Sequence, residues 1–179
     1  MDLVTHKTSE IIDRHPDAAV IRQILQRPAI RFAFERGAWI AGGFARAVFL
    51  GKRLGQFFSN DGSNLPGDID LFFDNQESAS AVIGFLTEHG YVNDSYGGNA
   101  KQTSLHLQSK ETEAWNVSTI QIQIVNNPEL ILPIREQLAR FDFTNACCAF
   151  KGEELLAAST IPDLEANYLL DVRQDRKST

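Results

Sequence analysis

Two acidic residues, Asp68 and Asp70, stand two apart in the run Asp68-Ile69-Asp70-Leu71-Phe72-Phe73, and a glycine pair, Gly42-Gly43, lies upstream between two apolar runs. On an extended strand, residues two apart project from one face at about 6.6 Å spacing. Both carboxylates can therefore converge on one divalent ion or on a pair of ions. Two acids next to apolar residues need a compensating charge. Mg²⁺ supplies it and leaves coordination positions to water and phosphate, so a nucleoside triphosphate can complete the shell. The glycine pair suits the other half of such a task. Without Cβ atoms the backbone can approach a phosphate closely, and the free amides of a following helix point at the anion. Arg46, in the first turn of that helix, adds a charge-assisted contact. Lys52 and Arg53, just beyond the helix, are auxiliary phosphate contacts or, on the plainer reading, solvated helix-end charges.

The elements that must hold these residues are legible from patterning. Trp39-Ile40-Ala41 is a short apolar strand that runs into Gly42-Gly43, then into Phe44-Ala45-Arg46-Ala47-Val48-Phe49-Leu50 before Gly51. This predicts strand, glycine turn, helix and glycine cap. Asp68 to Phe73 alternates and then turns wholly apolar, as in a strand buried beyond a polar tip. Between them, residues 52–67 form a long loop rich in Gly, Ser, Asn and Asp. Upstream, Val20, Ile21, Ile24 and Leu25 fall at helical spacing, and Ile30, Ala33 and Phe34 share a face before a stop at Gly37, so residues 1–37 read as a helical cover. Residues 76–89 read as an amphipathic helix stopped at Gly90. Two strands follow, Thr103 to Leu107 and Thr119 to Val125, the second with Ile120, Ile122 and Ile124 on one face and Gln121 and Gln123 on the other. Pro128 opens a helix to about Leu138, residues 141–150 turn into a last strand, and residues 162–173 close with a helix. The expectation is one α/β (α+β) domain over 1–179, a small mixed sheet with helices: cover 1–37, core 38–125, and a C-terminal helix-strand-helix 126–179.

Together, Ala41-Gly42-Gly43-Phe44-Ala45-Arg46-Ala47-Val48-Phe49-Leu50-Gly51 and Gly67-Asp68-Ile69-Asp70-Leu71-Phe72 resemble the head domain of the DNA-polymerase-β-like nucleotidyltransferase superfamily. The nearer likeness is to CCA-adding enzymes and bacterial poly(A) polymerases, and it covers roughly residues 38–125. The resemblance implies transfer of a nucleoside monophosphate from a triphosphate to an acceptor in RNA, protein or a small molecule. It implies Mg²⁺ or Mn²⁺ at Asp68 and Asp70, and triphosphate contacts at Gly42, Gly43 and Arg46. Three features depart from the family pattern. Ala47 stands where an acid commonly follows the helix arginine, and the loop between glycines and acids is long. The third carboxylate of a neighbouring strand is replaced by Gln121 or Gln123. Asp142, in Phe141-Asp142-Phe143-Thr144, is the candidate catalytic substitute, its plainer reading being a turn-forming residue. That short motif resembles virus-encoded members of the superfamily. A catalytically silent domain of the same fold, binding nucleotide, RNA or a protein partner, is the alternative that the missing acid favours.

Composition bounds the rest. The 179 residues fit the soft prior of about 150 per domain. With 17 Lys and Arg against 23 Asp and Glu, the net charge is -6, so no global field draws the chain onto DNA, and a polyanion site has to be a local pocket. Cys147 and Cys148 are adjacent and read as reduced core thiols. His6, His15, His89 and His106 lack metal-ligand spacing. No glycine-rich run is followed by Lys-Ser or Lys-Thr, which excludes a P-loop. No apolar run approaches the roughly 18 residues needed to span a bilayer, and no apolar leader opens the chain, so a cytoplasmic protein is expected, in the host cytoplasm if virus-encoded.

Overall fold

The structure, a computed structural model, describes residues 2–54, 68–93, 102–107, 121–141 and 147–159. In chain order the elements are β1 (Leu3–Lys7), α1 (Thr8–Asp13), α2 (Ala18–Leu25), α3 (Pro28–Glu35), β2 (Trp39–Ala41), α4 (Gly43–Leu50), β3 (Asp68–Phe72), α5 (Gln76–Glu88), β4 (Tyr91–Asn93), β5 (Gln102–Leu107), β6 (Gln121–Val125), a 3-10 turn (Pro128–Leu130), α6 (Ile134–Leu138), β7 (Cys148–Lys151) and β8 (Glu154–Ala158). The strands join in one sheet of eight, in the order β1-β8-β7-β2-β3-β6-β5-β4. Among the described residues, the β3 and β6 pair is parallel and the other neighbours are antiparallel. The mixed sheet with helices is thus as the sequence implies.

Alternation sorts the sheet into two unequal faces. Ile40, Ile69, Leu71, Ile122, Ile124 and Phe150 are buried on one face in the same cluster as Ile21, Ile30, Val48 and Val82, which belong to four different helices. Each such side chain contributes about 1.5–3 kcal/mol by leaving water. The α3 and α5 helices also meet through stacked rings, Phe32 on Phe85 with centroids 4.2 Å apart. The opposite face is thinner. It holds Ala41, Ala149, Leu156 and Leu138, with Trp39, Phe72 and Phe141 packed against them. Gln137, buried on α6, donates from Nε2 to the carbonyls of Phe73 (3.0 Å) and Leu132 (2.8 Å), which ties α6 to the end of β3.

Several elements depart from the sequence expectation. The N-terminal cover contains a strand as well as helices, because β1 pairs with β8 from Leu3↔Ala158 to Lys7↔Glu154. As an edge strand with no fully buried residue, it carries little apolar periodicity to read. The helix expected from Pro128 to Leu138 is broken. Pro128–Leu130 makes a 3-10 turn, and α6 starts only after Pro133, whose ring disfavours helical backbone at Leu132. The strands β4 and β8 are additional. The closing helix expected over 162–173 and most of the loop 52–67 fall outside the described residues. Among the described residues, no helix is long and apolar enough to cross a membrane.

Candidate active site

The site is built where β2 gives way to α4. Ala41 ends β2 opposite Asp70 of β3, and Gly42 turns the chain into α4 with φ 85° and ψ -150°. That region is essentially closed to L side chains. It also brings the turn against the acid: a Cβ on Gly42 would lie 2.7 Å from Asp70 Oδ2. Removing Cβ is therefore what lets the Asp70 carboxylate sit beside the start of the helix. Gly43 differs. It is the exposed first residue of α4 and is not among the glycines at positive φ, so the conformational demand of the pair falls on Gly42.

Asp68 and Asp70 occupy alternate positions of β3, in register with Gln121 and Gln123 of the parallel neighbour β6. Asp70 is half-buried, as is Gln123. Two neutral amide residues thus hold the positions directly beside the two acids. Asp142, the expected third acid, lies outside the described residues. Its neighbour Phe141 packs on Phe72, ring centroids 5.6 Å apart, and Phe72 lies two residues beyond Asp70 on the same strand.

Arg46 stands in the first turn of α4, and Lys52 and Arg53 follow its far end. Arg46, half-buried in the first turn of α4, donates its backbone N–H to the carbonyl of Gly42 (3.0 Å). Gly51 ends the helix in the left-handed conformation, and Lys52 N–H returns to the carbonyl of Ala47 (2.9 Å). Burial, and then the Arg46 charge, hold the Lys52 ammonium below its ordinary pKa. Arg53 is turned elsewhere, pairing with Asp17 at 3.2 Å. Beneath the helix, burial and the neighbouring Cys147 push the Cys148 thiol well up, while Arg46 acts in the opposite sense. Sequence reasoning weighed His15 only as a metal ligand and passed over Asp17. His15 is buried, accepts the Asp17 N–H at Nδ1 (2.9 Å) and therefore donates from Nε2 to Ala47 O (3.2 Å). The signal was there in His15-Pro16-Asp17, a turn with an acid placed before a helix.

Asp68 and Asp70 on one strand, with Gln121 and Gln123 in register on the next, are oxygen-bearing residue types that suit a hard divalent cation. Among the described residues, no group of three His, Cys, Asp or Glu could hold a metal ion unaided. Water or phosphate oxygens would complete its shell, which is how Mg²⁺ commonly binds beside one or two carboxylates.

Solved structures similar to this chain in fold include those of CCA-adding enzymes. The Thermotoga maritima CCA-adding enzyme complexed with tRNA is 21% identical over 96% of this chain, with a TM-score of 0.55. A CCA-adding enzyme complexed with ATP is 19% identical over 96%, with a TM-score of 0.59, and an apo form is 18% identical over 96%, with a TM-score of 0.60. This chain spans only 37%, 37% and 39% of those chains, respectively. At such identity the likeness is one of fold, and the fold is that of a polymerase-β-like nucleotidyltransferase head. No curated protein matches the chain. The family model described as "Gabija anti-defense 2 family protein" matches residues 7–166, and the chain belongs to that family.

Proposed function

We propose that this protein is a metal-dependent nucleotidyltransferase that moves a nucleoside monophosphate from a triphosphate to an acceptor hydroxyl or phosphate, releasing pyrophosphate. The observation that carries this reading is the approach of Asp70 to Gly42, 2.7 Å from a Cβ that glycine does without. It joins a carboxylate to the start of a helix whose amides and Arg46 suit an anion. Asp68 and Asp70 would hold Mg²⁺ or Mn²⁺, which when bound supplies neutralisation of the triphosphate and a more acidic acceptor hydroxyl. Gly42, Gly43 and Arg46 bind the phosphates and fix their orientation. Asp142 is the proposed third, acceptor-side acid, supported by the packing of Phe141 over Phe72. The solved relatives with ATP, CTP and tRNA support a nucleotide donor and make RNA one acceptor class. The family's description supports a role directed against a defence system.

One observation favours a second reading, a silent domain that binds nucleotide without transferring it: Gln121 and Gln123 stand in register beside Asp68 and Asp70, and an amide is a poor substitute for a carboxylate as metal ligand or proton acceptor. Incubation with each labelled triphosphate, Mg²⁺, and RNA or protein extract separates the two. Transfer is expected with the wild-type chain and should vanish in Asp68→Asn/Asp70→Asn with circular dichroism unchanged. Asp142→Ala should cost transfer by orders of magnitude while sparing metal-dependent triphosphate binding. Binding without transfer by the wild type would favour the silent domain, and triphosphate affinity indifferent to metal would refute both acids as ligands.

A further inference from the structure

Positive charge is concentrated in one part of this acidic chain. Residues 14–53 carry eight Arg and Lys against two acids, of 17 and 23 in the whole sequence, which leaves nine against 21 for the rest. Some of the eight are already engaged. Arg22 pairs with Asp13 and Arg53 with Asp17, and Arg46 and Lys52 have interactions of their own. Three others bracket α3: Arg27 just before it, Arg31 within it and Arg36 just after it. Among the described residues, none of these three is in an ion pair with an acid. Arg31 and Arg36 are exposed, and Arg27 is half-buried.

Beside these charges runs a stack of flat groups. The Arg36 guanidinium lies over the Phe32 ring, 5.1 Å from its centroid. Phe32 stacks on Phe85 of α5 at 4.2 Å and 9°, and Phe85 stacks on His89 at 3.9 Å and 20°. Both phenylalanines are half-buried, whereas His89 is exposed. Its Nδ1–H donates to the Phe85 carbonyl (2.7 Å), which fixes the imidazole at the end of the stack. An exposed terminal ring offers a flat face to one more ring, and every nucleobase has such a face. A single strand also brings phosphates to arginines, so stacking and charge neutralisation act together on it. A duplex keeps its base faces inside its own stack, and an acidic protein surface would answer the charges but not the rings. Unstacked bases belong chiefly to RNA loops and ends.

We propose that the surface formed by α3 and the C-terminal end of α5 binds single-stranded RNA, with Arg27, Arg31 and Arg36 on its phosphates and one base stacked on His89. These residues are separate from the glycine turn and the two acids, so binding here needs neither triphosphate nor metal.

The test is fluorescence anisotropy of the full chain with labelled oligo(A), without nucleotide or metal, over a series of salt concentrations. The wild type should bind, and more weakly as salt rises. Arg31→Gln and Arg36→Gln should each weaken binding and lower the slope of log affinity against log salt by about 0.7, the share of one phosphate contact on a single strand. His89→Ala should weaken binding about fivefold or more with that slope unchanged, the scale of one stacked base. His89→Phe keeps a ring and should restore most of the loss. Arg135→Gln removes an equal charge from α6, on the opposite face of the sheet, and should leave binding within about twofold of wild type. All four side chains are exposed, so circular dichroism should not change in any variant. Wild-type affinity in both α3 arginine variants, or an equal loss in Arg135→Gln, would overturn the surface, and wild-type affinity in His89→Ala would overturn the stacked base. Tighter binding of oligo(dA), of an oligo(A)–oligo(U) duplex or of a polyglutamate peptide would overturn single-stranded RNA as the occupant. If RNA binding depends on these residues yet no nucleotide is transferred, the transferase reading falls and this surface stands. If transfer to RNA proceeds with an unchanged KM for RNA in Arg31→Gln/His89→Ala, this surface falls and the transferase reading stands.

Discussion

Gly42→Ala tests the junction on which the site depends. Two separate costs arise at one methyl group. The backbone at φ 85° and ψ -150° costs an L residue about 1–3 kcal/mol. The new Cβ would also lie 2.7 Å from Asp70 Oδ2, closer than carbon and oxygen tolerate, so the carboxylate has to rotate away at about 0.5–1.5 kcal/mol for a strained side chain. The sum, about 1.5–4.5 kcal/mol, is a substantial part of the 5–15 kcal/mol typical of a domain, yet smaller than it. Urea unfolding should show that loss, while metal-dependent ATP affinity should fall by more than tenfold if the displaced acid is a metal ligand, as proposed. A double-mutant cycle with Asp70→Ala separates the terms: the coupling energy should recover the clash, about 0.5–1.5 kcal/mol, and leave the backbone term in place. A Gly42→Ala protein with wild-type stability and wild-type ATP affinity would refute this account of the turn.

Gly43→Val should behave differently: at an exposed first helical position it should change urea stability by no more than about 1 kcal/mol, yet lower triphosphate affinity at least tenfold by crowding the anion, and unchanged affinity would move the phosphate elsewhere. Both thiols are buried and that of Cys148 is pushed up by burial, so an aromatic disulfide reagent at pH 8 should find no fast thiol in the native chain and two after denaturation; one fast native thiol would contradict it. Because Lys52 titrates below its ordinary 10.5, the native state holds fewer protons than the unfolded chain between the two values, and this group makes stability rise with pH across that interval. Urea midpoints through the alkaline range should show the rise flattened in Lys52→Met, and an identical slope in both proteins would refute the shift.

How much of this was legible depended on whether a feature was local. The strand, glycine turn and helix from Trp39 to Gly51 are encoded within thirteen residues, and β3 carries its own alternation, so both appear where patterning puts them. The strand β1 exists through a partner distant in sequence: Leu3 to Lys7 is a strand because residues 154–158 offer it an edge. The break at Pro133 was readable in principle, but the apolar spacing up to Leu138 outweighed one proline. At the site, both acids and the glycines were visible as a pattern. That Gly42 rather than Gly43 carries the steric demand was not, since it depends on the register of Ala41 with Asp70 across two strands. The contacts that join His15 to Ala47 and Asp17 to Arg53 were equally hidden, the first because it runs through a backbone group that has no residue signature.

The strand order has a consequence for how the chain is made. Strands β7 and β8, from residues 148–158, fill the sheet between β1 and β2, both of which are synthesised more than a hundred residues earlier. While the ribosome is still adding the middle of the chain, the edge of β2 that later pairs with β7 is bare, and that edge runs through Ile40 and Ala41. A bare apolar edge is a template for pairing with another chain, and such long-range closure is slow. Translation arrest or truncation before Cys148 should therefore yield aggregates or chaperone-bound chains, even though the glycine turn and both acids are already present in the nascent protein.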